Sequence, residues 1–294
     1  MPSSIARCPT CWGPLSRHPL YPLPALDPCE EEVWGVIRTD DLGRVPRWDG
    51  TLAHQDVARS LQPHQGLAVV AHLARALARL HARGIVHRAV CPANLAWYGG
   101  GSWILVDPQS TAATDAEPGG LSPDLVGYAP PEVLARAERW GTYADVWGLG
   151  CVALDLVLAP GYGGGGQGPF SRAADWSPMG SPRATRQLRR ILAVLGVSRD
   201  LPDLAGFAPR YVSRALGGRS PSACVEVALR TLLGTASPSA LEEARARLAV
   251  LAPVLDATLQ VDWRLRASAH RLLKEVIPHA PHLHVRVPRA CACL

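Results

Sequence analysis

The run His87-Arg88-Ala89-Val90-Cys91-Pro92-Ala93-Asn94, with Asp107 thirteen residues beyond Asn94, gathers most of the chain's candidate chemistry into one stretch. A Cys91 thiol is nucleophilic only with a depressed pKa; otherwise it is a small residue filling a loop. Asn94 and Asp107 are oxygen donors. Each either faces a ligand or is held locally, Asn94 by the backbone and Asp107 as the cap of a turn. Ala89 sits among them with a methyl group that can neither accept a proton nor align a hydroxyl. Near the start, Cys8-Pro-Thr-Cys11 is either half of a zinc knuckle, with His18 and Cys29 as conceivable partners, or a reduced surface thiol pair. A closed zinc site needs four ligands at defined spacing, which favours the thiol pair. Cys291-Ala292-Cys293-Leu294 has the outline of a prenylation box, but its third residue is Cys and little basic sequence precedes it. Lipidation at Cys291 is not expected.

The elements that must position these residues are legible from periodicity and punctuation. Residues 1–30 hold seven prolines and read as an irregular tail. Val33 to Arg38 alternates closely enough for a strand, and Gly43 to Leu52 reads as a strand end and a connection. From Gln65 to Arg83, Leu67, Val70, Leu73, Ala76, Leu77 and Leu80 recur at three- and four-residue steps, which predicts an amphipathic helix capped at Gly84. Ile85 to Trp97 holds apolar runs around a polar loop, and Ser102 to Val106 is a compact strand. Thr142 to Leu158 predicts a mostly buried helix. Further helices are expected at 184–195, 222–234, 239–255 and 268–276. The order is sparse strands followed by a long helical region.

Five fragments in this order resemble the eukaryotic-type protein kinase family. His87 to Asn94 is similar to its His-Arg-Asp-x-x-x-x-Asn catalytic loop, and Asp107-Pro108-Gln109 stands where the family has Asp-Phe-Gly. Tyr128-Ala129-Pro130-Pro131-Glu132 resembles the Ala-Pro-Glu that closes the activation segment. Asp145-Val146-Trp147-Gly148-Leu149-Gly150 resembles the start of the family's buried central helix. Asp262 to Ala269 is similar to the Asp-Pro-x-x-Arg-x-Ser-Ala before its last helix. The likeness covers residues 60–276. Gln187 to Ile191 and Pro209-Arg210-Tyr211 add a cyclin-dependent-like flavour, closest to the alphaherpesvirus serine/threonine kinases.

The resemblance implies an α+β fold with a mostly α-helical large lobe and a reduced β small lobe. Its bounds would be a Pro-rich tail at 1–30, the small lobe and hinge at 31–62, the large lobe at 63–278 and a C-terminal tail at 279–294. It also implies roles. Glu132 pairs with Arg266 to hold the activation segment, Asp145 orients the catalytic-loop backbone, His87 packs beneath that loop beside Arg88, and Asn94 and Asp107 are magnesium ligands. Against this scaffold stand the departures. Ala89 occupies the position of the base, and Cys91 that of the usual lysine. Pro108 and Gln109 replace Phe and Gly, and no Gly-x-Gly-x-x-Gly occurs in residues 1–64. The family's ATP-binding lysine precedes the catalytic loop, yet the only lysine here is Lys274. An arginine is an imperfect substitute because its fork and reach differ.

Scaffold present and chemistry incomplete predict a pseudokinase-like binding or regulatory module with a protein partner or protein substrate. Mg and ATP binding would be weak or absent. The alternative is a divergent active serine/threonine kinase in which Asp115 or Asp124 stands in for the base. Composition limits other classes. Hydrophobic residues at 48% and charged residues at 19% suit a globular chain. No run approaches a membrane span, since the best, Val146 to Pro160, is short and contains Asp155. The net charge of +5 is distributed over helical segments, so no nucleic-acid partner is expected. Its 29 arginines against one lysine fit GC-rich coding, as in a viral genome. No secretory signal is visible, which predicts a cytoplasmic or nuclear location, in a host cell if the source is viral.

Overall fold

A computed structural model describes residues 50–98, 102–105, 112–113, 123–135, 141–161, 168–173, 182–196 and 219–277. The strand expected at Val33 to Arg38, the Cys8/Cys11 pair, Asp107 to Thr111 and Cys291 lie outside them. The described elements run β1 (Gly50–Thr51), α1 (Gln55–Ser60), α2 (Pro63–Ala82), β2 (Ile85–Val86), β3 (Leu95–Tyr98), β4 (Ser102–Leu105), β5 (Ala112–Ala113), α3 (Pro131–Leu134), α4 (Thr142–Leu158), α5 (Arg183–Val194), α6 (Pro221–Leu233), α7 (Pro238–Thr258) and α8 (Ala269–Arg271). Short 3₁₀ turns stand at Pro92–Asn94, Pro123–Tyr128 and Trp263–Leu265, and a π turn at Leu272–Val276 continues α8.

The helices begin where proline and serine tell them to. Pro63, Pro131, Pro221 and Pro238 each stand in the first turn, where a missing N–H loses nothing. Ser220 accepts from Ala223 N–H at 3.3 Å and Ser237 from Ala240 N–H at 3.2 Å, each capping its helix. Helix α2 ends at Gly84, whose φ of +70° is the left-handed turn that an ordinary side chain resists. The short α1 and α3 escape periodicity, because six and four residues are too few to establish a repeat.

Helix α4 is the axis of the molecule. From Ala144 to Leu158 every residue except Asp155 is buried. It packs against α2 on one side and α7 on another, and α6 lies along α7. Such a helix shows little amphipathic signal because it has no solvent face. Trp147 and Phe170 are fully buried in this core with ring centroids 6.1 Å apart. The strands are minor. β1, β3 and β4 form an antiparallel sheet in the order β1-β3-β4, with Gly50 opposite Trp97 and Leu95 opposite Leu105. β2 and β5 pair antiparallel, Ile85 opposite Ala113. No helix among the described residues is long and apolar enough to cross a membrane.

One arginine fastens the segment before α2 to the helical core. Arg247 of α7 is 2% exposed. Its Nη1 donates to the carbonyls of Ala58 and Leu156, each at 3.1 Å. Its Nη2 donates to those of Arg59 and Leu61 at 2.9 and 2.7 Å, and Glu243 one turn earlier accepts at 2.7 Å. Buried carbonyls without donors are expensive, about 1–3 kcal/mol each. Arg247→Met is therefore expected to lower the melting temperature by about 6–12 °C in calorimetry, from a loss of about 3 kcal/mol. Arg247→Lys should rescue little, since one ammonium cannot span four carbonyls. An unchanged melting temperature would remove Arg247 from this role.

Candidate functional site

The loop after α2 takes its shape from a carboxylate rather than from regular structure. Asp145, in the first turn of α4, is 1% exposed. Its Oδ2 accepts from His87 N–H at 2.8 Å and its Oδ1 from Arg88 N–H at 2.7 Å. His81, in the last turn of α2, brings Nε2 to 2.9 Å from the same Oδ2, and since a carboxylate only accepts, that nitrogen carries the proton. Three donors thus converge on one side chain. They hold Arg88 at φ +68°, a left-handed conformation costly for a non-glycine residue. Burial lowers the Arg88 pKa, and the charge of Asp145 opposes that shift.

The rest of the loop is inward-facing. His87 is fully buried, and its Nδ1 accepts from Ala89 N–H at 3.3 Å. Asn94 Nδ2 donates to the Ala89 carbonyl at 2.8 Å, closing the loop upon itself. Asn94 Oδ1 is buried without a hydrogen-bond partner. Ala89 and Cys91 are each 4% exposed, so both act as apolar filling beneath the loop. Helix α4 can approach because residue 148 is glycine. A Cβ there would lie 2.8 Å from Val90 Cβ and 2.9 Å from its carbonyl oxygen, closer than real atoms come.

A second constellation lies at the far end of the same helix turn. Glu132 of α3 and Arg266 meet through two parallel bonds, Nη1 to Oε1 and Nη2 to Oε2, both 2.7 Å, with both side chains fully buried. The remaining arginine donors go to backbone. Nε donates to Gln260 O at 2.7 Å, and Nη1 also donates to Tyr143 O at 3.1 Å. The guanidinium carbon sits 4.9 Å above the Trp147 ring. Nearby, Tyr143 and Trp263 stack with centroids 4.4 Å apart.

The structure therefore brings His87, Arg88, Ala89, Cys91, Asn94 and Asp145 together, and Glu132 with Arg266 in a separate cluster. Asp107, Cys8 and Cys11 lie outside the described residues. Two participants were not singled out from sequence as site residues. His81 is one polar residue in a helical repeat, and only the fold shows that it reaches across to Asp145. Asp155 is legible in sequence as a charge inside an apolar run, but not as one whose carboxylate oxygens are both buried. Burial pushes its pKa up to about 7, and hydrogen bonding by the Tyr128 side chain opposes that shift. One turn earlier, burial pushes the Cys151 thiol well up, and the Asp155 charge adds to it.

The described residues do not by themselves fit a magnesium–nucleotide site. They contain no group of three His, Cys, Asp or Glu able to hold a metal ion, and Asn94 Oδ1 is the one side-chain oxygen of the loop that is buried without a partner. What this arrangement can do chemically is hold a loop rigid, with no acid or base at position 89.

No protein-family model matches the chain. Similar curated proteins are cyclin-dependent kinase 17 of Caenorhabditis elegans, 30% identical over 116 residues, and the serine/threonine-protein kinase ppk6 of Schizosaccharomyces pombe, 31% identical over 98 residues. Human cyclin-dependent kinase 14 is 28% identical over 113 residues. These stretches cover 39%, 33% and 35% of this chain, and 17%, 13% and 24% of the respective relatives. The chain thus spans well under a third of the length of the curated relatives it matches. The likeness makes it protein-kinase-like, and its mostly helical architecture with few short strands agrees with a kinase-like fold.

Two stability experiments follow from the buried charges. Replacing Glu132 by Leu strands the Arg266 charge and should cost about 3–5 kcal/mol, read as a fall in denaturant midpoint. The double variant Glu132→Leu/Arg266→Met should recover part of that loss; additive losses would argue against a coupled pair. For Asp155, the folded-state pKa is raised from 3.8 to about 7, so folding takes up a proton between these values. Its stabilising neutral form is fully present at low pH, and stability falls as pH rises through that window. Asp155→Asn should therefore melt like the parent near about pH 4 and several degrees higher near about pH 8. An equal difference at both pH values would show that Asp155 titrates normally.

Proposed function

We propose that this chain is a degenerate protein-kinase-like domain that serves as a binding or regulatory module and does not transfer phosphate. Ala89 carries the reading. It stands where the family's catalytic base belongs, and its methyl group can neither take a proton from a hydroxyl nor align it. The neighbouring features point the same way. The Asn94 amide nitrogen is committed to the Ala89 carbonyl at 2.8 Å, and Cys91, at the position of the usual lysine, is buried. The only lysine of the chain, Lys274, follows the catalytic-like loop, so none precedes it to hold ATP phosphates. Phosphoryl transfer rests on positioning and charge stabilisation by several parts together, and here several are missing at once.

On this reading residues 63–278 correspond to the large lobe, 31–62 to a reduced small lobe and hinge, and 1–30 and 279–294 to tails. Mg and ATP would bind weakly or not at all, through Asn94 and Asp107. The affinity would be with cyclin-dependent-like enzymes such as the alphaherpesvirus serine/threonine kinases, and the protein would then act in the cytoplasm or nucleus of a host cell. Its partner would be another protein, such as an active kinase or a kinase substrate. The two magnesium-ligand positions that remain, Asn94 and Asp107, are what favours the alternative, a divergent active serine/threonine kinase.

The test is radiolabelled phosphate transfer from Mg-ATP to a generic basic protein and to the chain itself. The expected result is no transfer above background, and none after Ala89→Asp, because the lesion is distributed. Transfer that Asp107→Ala abolishes would overturn the proposal in favour of the active kinase. A parallel Mg-ATP thermal titration reads nucleotide binding directly, since saturation at about 100 times Kd stabilises a fold by about 2.7 kcal/mol.

A further inference from the structure

Asp155 is the one residue between Ala144 and Leu158 that breaks the apolar axis of α4. Every other residue of that span is buried, and Asp155 is half-buried with both carboxylate oxygens inside. A carboxyl group in such a place is ordinarily paired with a cation. No ion pair among the described residues includes Asp155. The charges on the surrounding elements are engaged elsewhere. Arg266, after α7, is held by Glu132, and Arg247 of α7 by Glu243. Arg59 of α1 donates to the Ala159 carbonyl, and His81 of α2 is spent on Asp145, whose charge also faces Arg88. Cys151, one turn earlier on α4, is a fully buried thiol that burial keeps neutral.

The group that does reach Asp155 comes from another element. Hydrogen bonding by the Tyr128 side chain acts on it. Tyr128 ends the 3₁₀ turn Pro123–Tyr128, is 9% exposed, and belongs to a turn that packs against α4. On its other side the turn is held by a neutral bond, Gln187 Nε2 donating to Gly127 O at 3.2 Å. Tyr128 also lines a small cavity of about 10 Å³ with Arg88, Val90 and Asp145. That is about the room one water needs. One face of the turn thus rests on an ionisable contact, with space for water beside it.

We propose that Asp155 and Tyr128 form a proton-operated catch that holds the 123–128 turn against α4 while the acid is neutral and releases it when the acid ionises. In the closed state the carboxylic acid and the phenol share a dry contact. On ionisation the acid gives its proton to solvent, and the carboxylate requires water that the closed interface excludes. Lifting the turn supplies that water. Burial keeps the acid neutral up to about pH 7, so the closed turn binds one more proton than the open one. The catch is therefore shut at low pH and loosens as pH rises from the ordinary carboxylate range to that value. This device goes beyond the binding-module reading and does not depend on it.

The experiment is native-state hydrogen exchange on the full chain between about pH 5 and pH 8, read as protection factors so that the pH dependence of exchange itself is removed. Amides of Val126 to Ala129 should lose protection by up to about tenfold per pH unit until about pH 7 and then level off. Asp155→Asn should make their protection independent of pH. Tyr128→Phe removes the group that favours the ionised acid, so levelling off should move to higher pH. A merely structural Tyr128 would instead lower protection equally at every pH. Thermal melts near about pH 5 establish that each variant folds. If Asp155→Asn does not fold, the direction of the Tyr128→Phe shift decides alone. Turn protection that ignores pH in the parent, or a pH dependence that survives Asp155→Asn, would overturn the catch. So would a pH dependence confined to the most protected amides of α4, because Asp155 would then titrate only on global unfolding.

Discussion

The interior of this protein is organised around a charge that has no water. Arg266 is held by Glu132 through two 2.7 Å bonds, with both side chains fully buried. A buried ion pair repays its desolvation only when geometry is good and every remaining donor finds an acceptor. Here the backbone carbonyls of Gln260, Tyr143 and Val261 supply those acceptors and the Trp147 face lies against the guanidinium. Those partners come from α3, from the first two turns of α4, and from the segment after α7. Satisfying one guanidinium therefore fixes how three separate pieces of chain meet. Moving any of them would leave a charge or a carbonyl stranded.

Asp145 extends the same logic toward the loop. It lies one residue before Val146 and two before Trp147, so the pose of α4 set at Arg266 also sets where this carboxylate points. From there it captures the N–H groups of His87 and Arg88 and the His81 ring, and Arg88 is held in a left-handed conformation that the chain would not otherwise choose. Residue 89 takes part in this loop through its backbone alone, its N–H donating to His87 Nδ1 and its carbonyl accepting from Asn94. Architecture and side-chain chemistry are thus separable at this position. The buried contacts that maintain the loop do not depend on the side chain that residue 89 carries.

This separation explains what could be read from sequence and what could not. Helix α2 was legible because a half-buried helix displays its period, and its end because Gly84 has few alternatives. Helix α4 was legible as an apolar run of helical length interrupted by one acid. The loop was legible only through its spacing relative to other fragments, a kinship argument rather than a periodic one. Contacts that depend on three-dimensional proximity left no local trace. His81 looks like any other polar residue near a helix end, and Arg247 reads as one more surface arginine of a basic helix. Only the fold shows that Arg247 is 2% exposed and bonded to carbonyls nearly two hundred positions earlier in the chain. Short α1 and α3 were invisible for a simpler reason: neither is long enough to show a period.

The arginine excess illustrates how a compositional cause and a structural use can coexist. Twenty-nine arginines against one lysine is a bias at the level of the whole chain. The bias does not decide where each residue ends up. At Arg266 and Arg247 the guanidinium makes bonds in several directions at once, which an ammonium on a flexible stem could not reproduce while buried. Both positions are explained by packing, since each donor has a buried acceptor. The composition supplies the residue type, and burial against backbone carbonyls and a carboxylate decides which of these arginines the fold depends on.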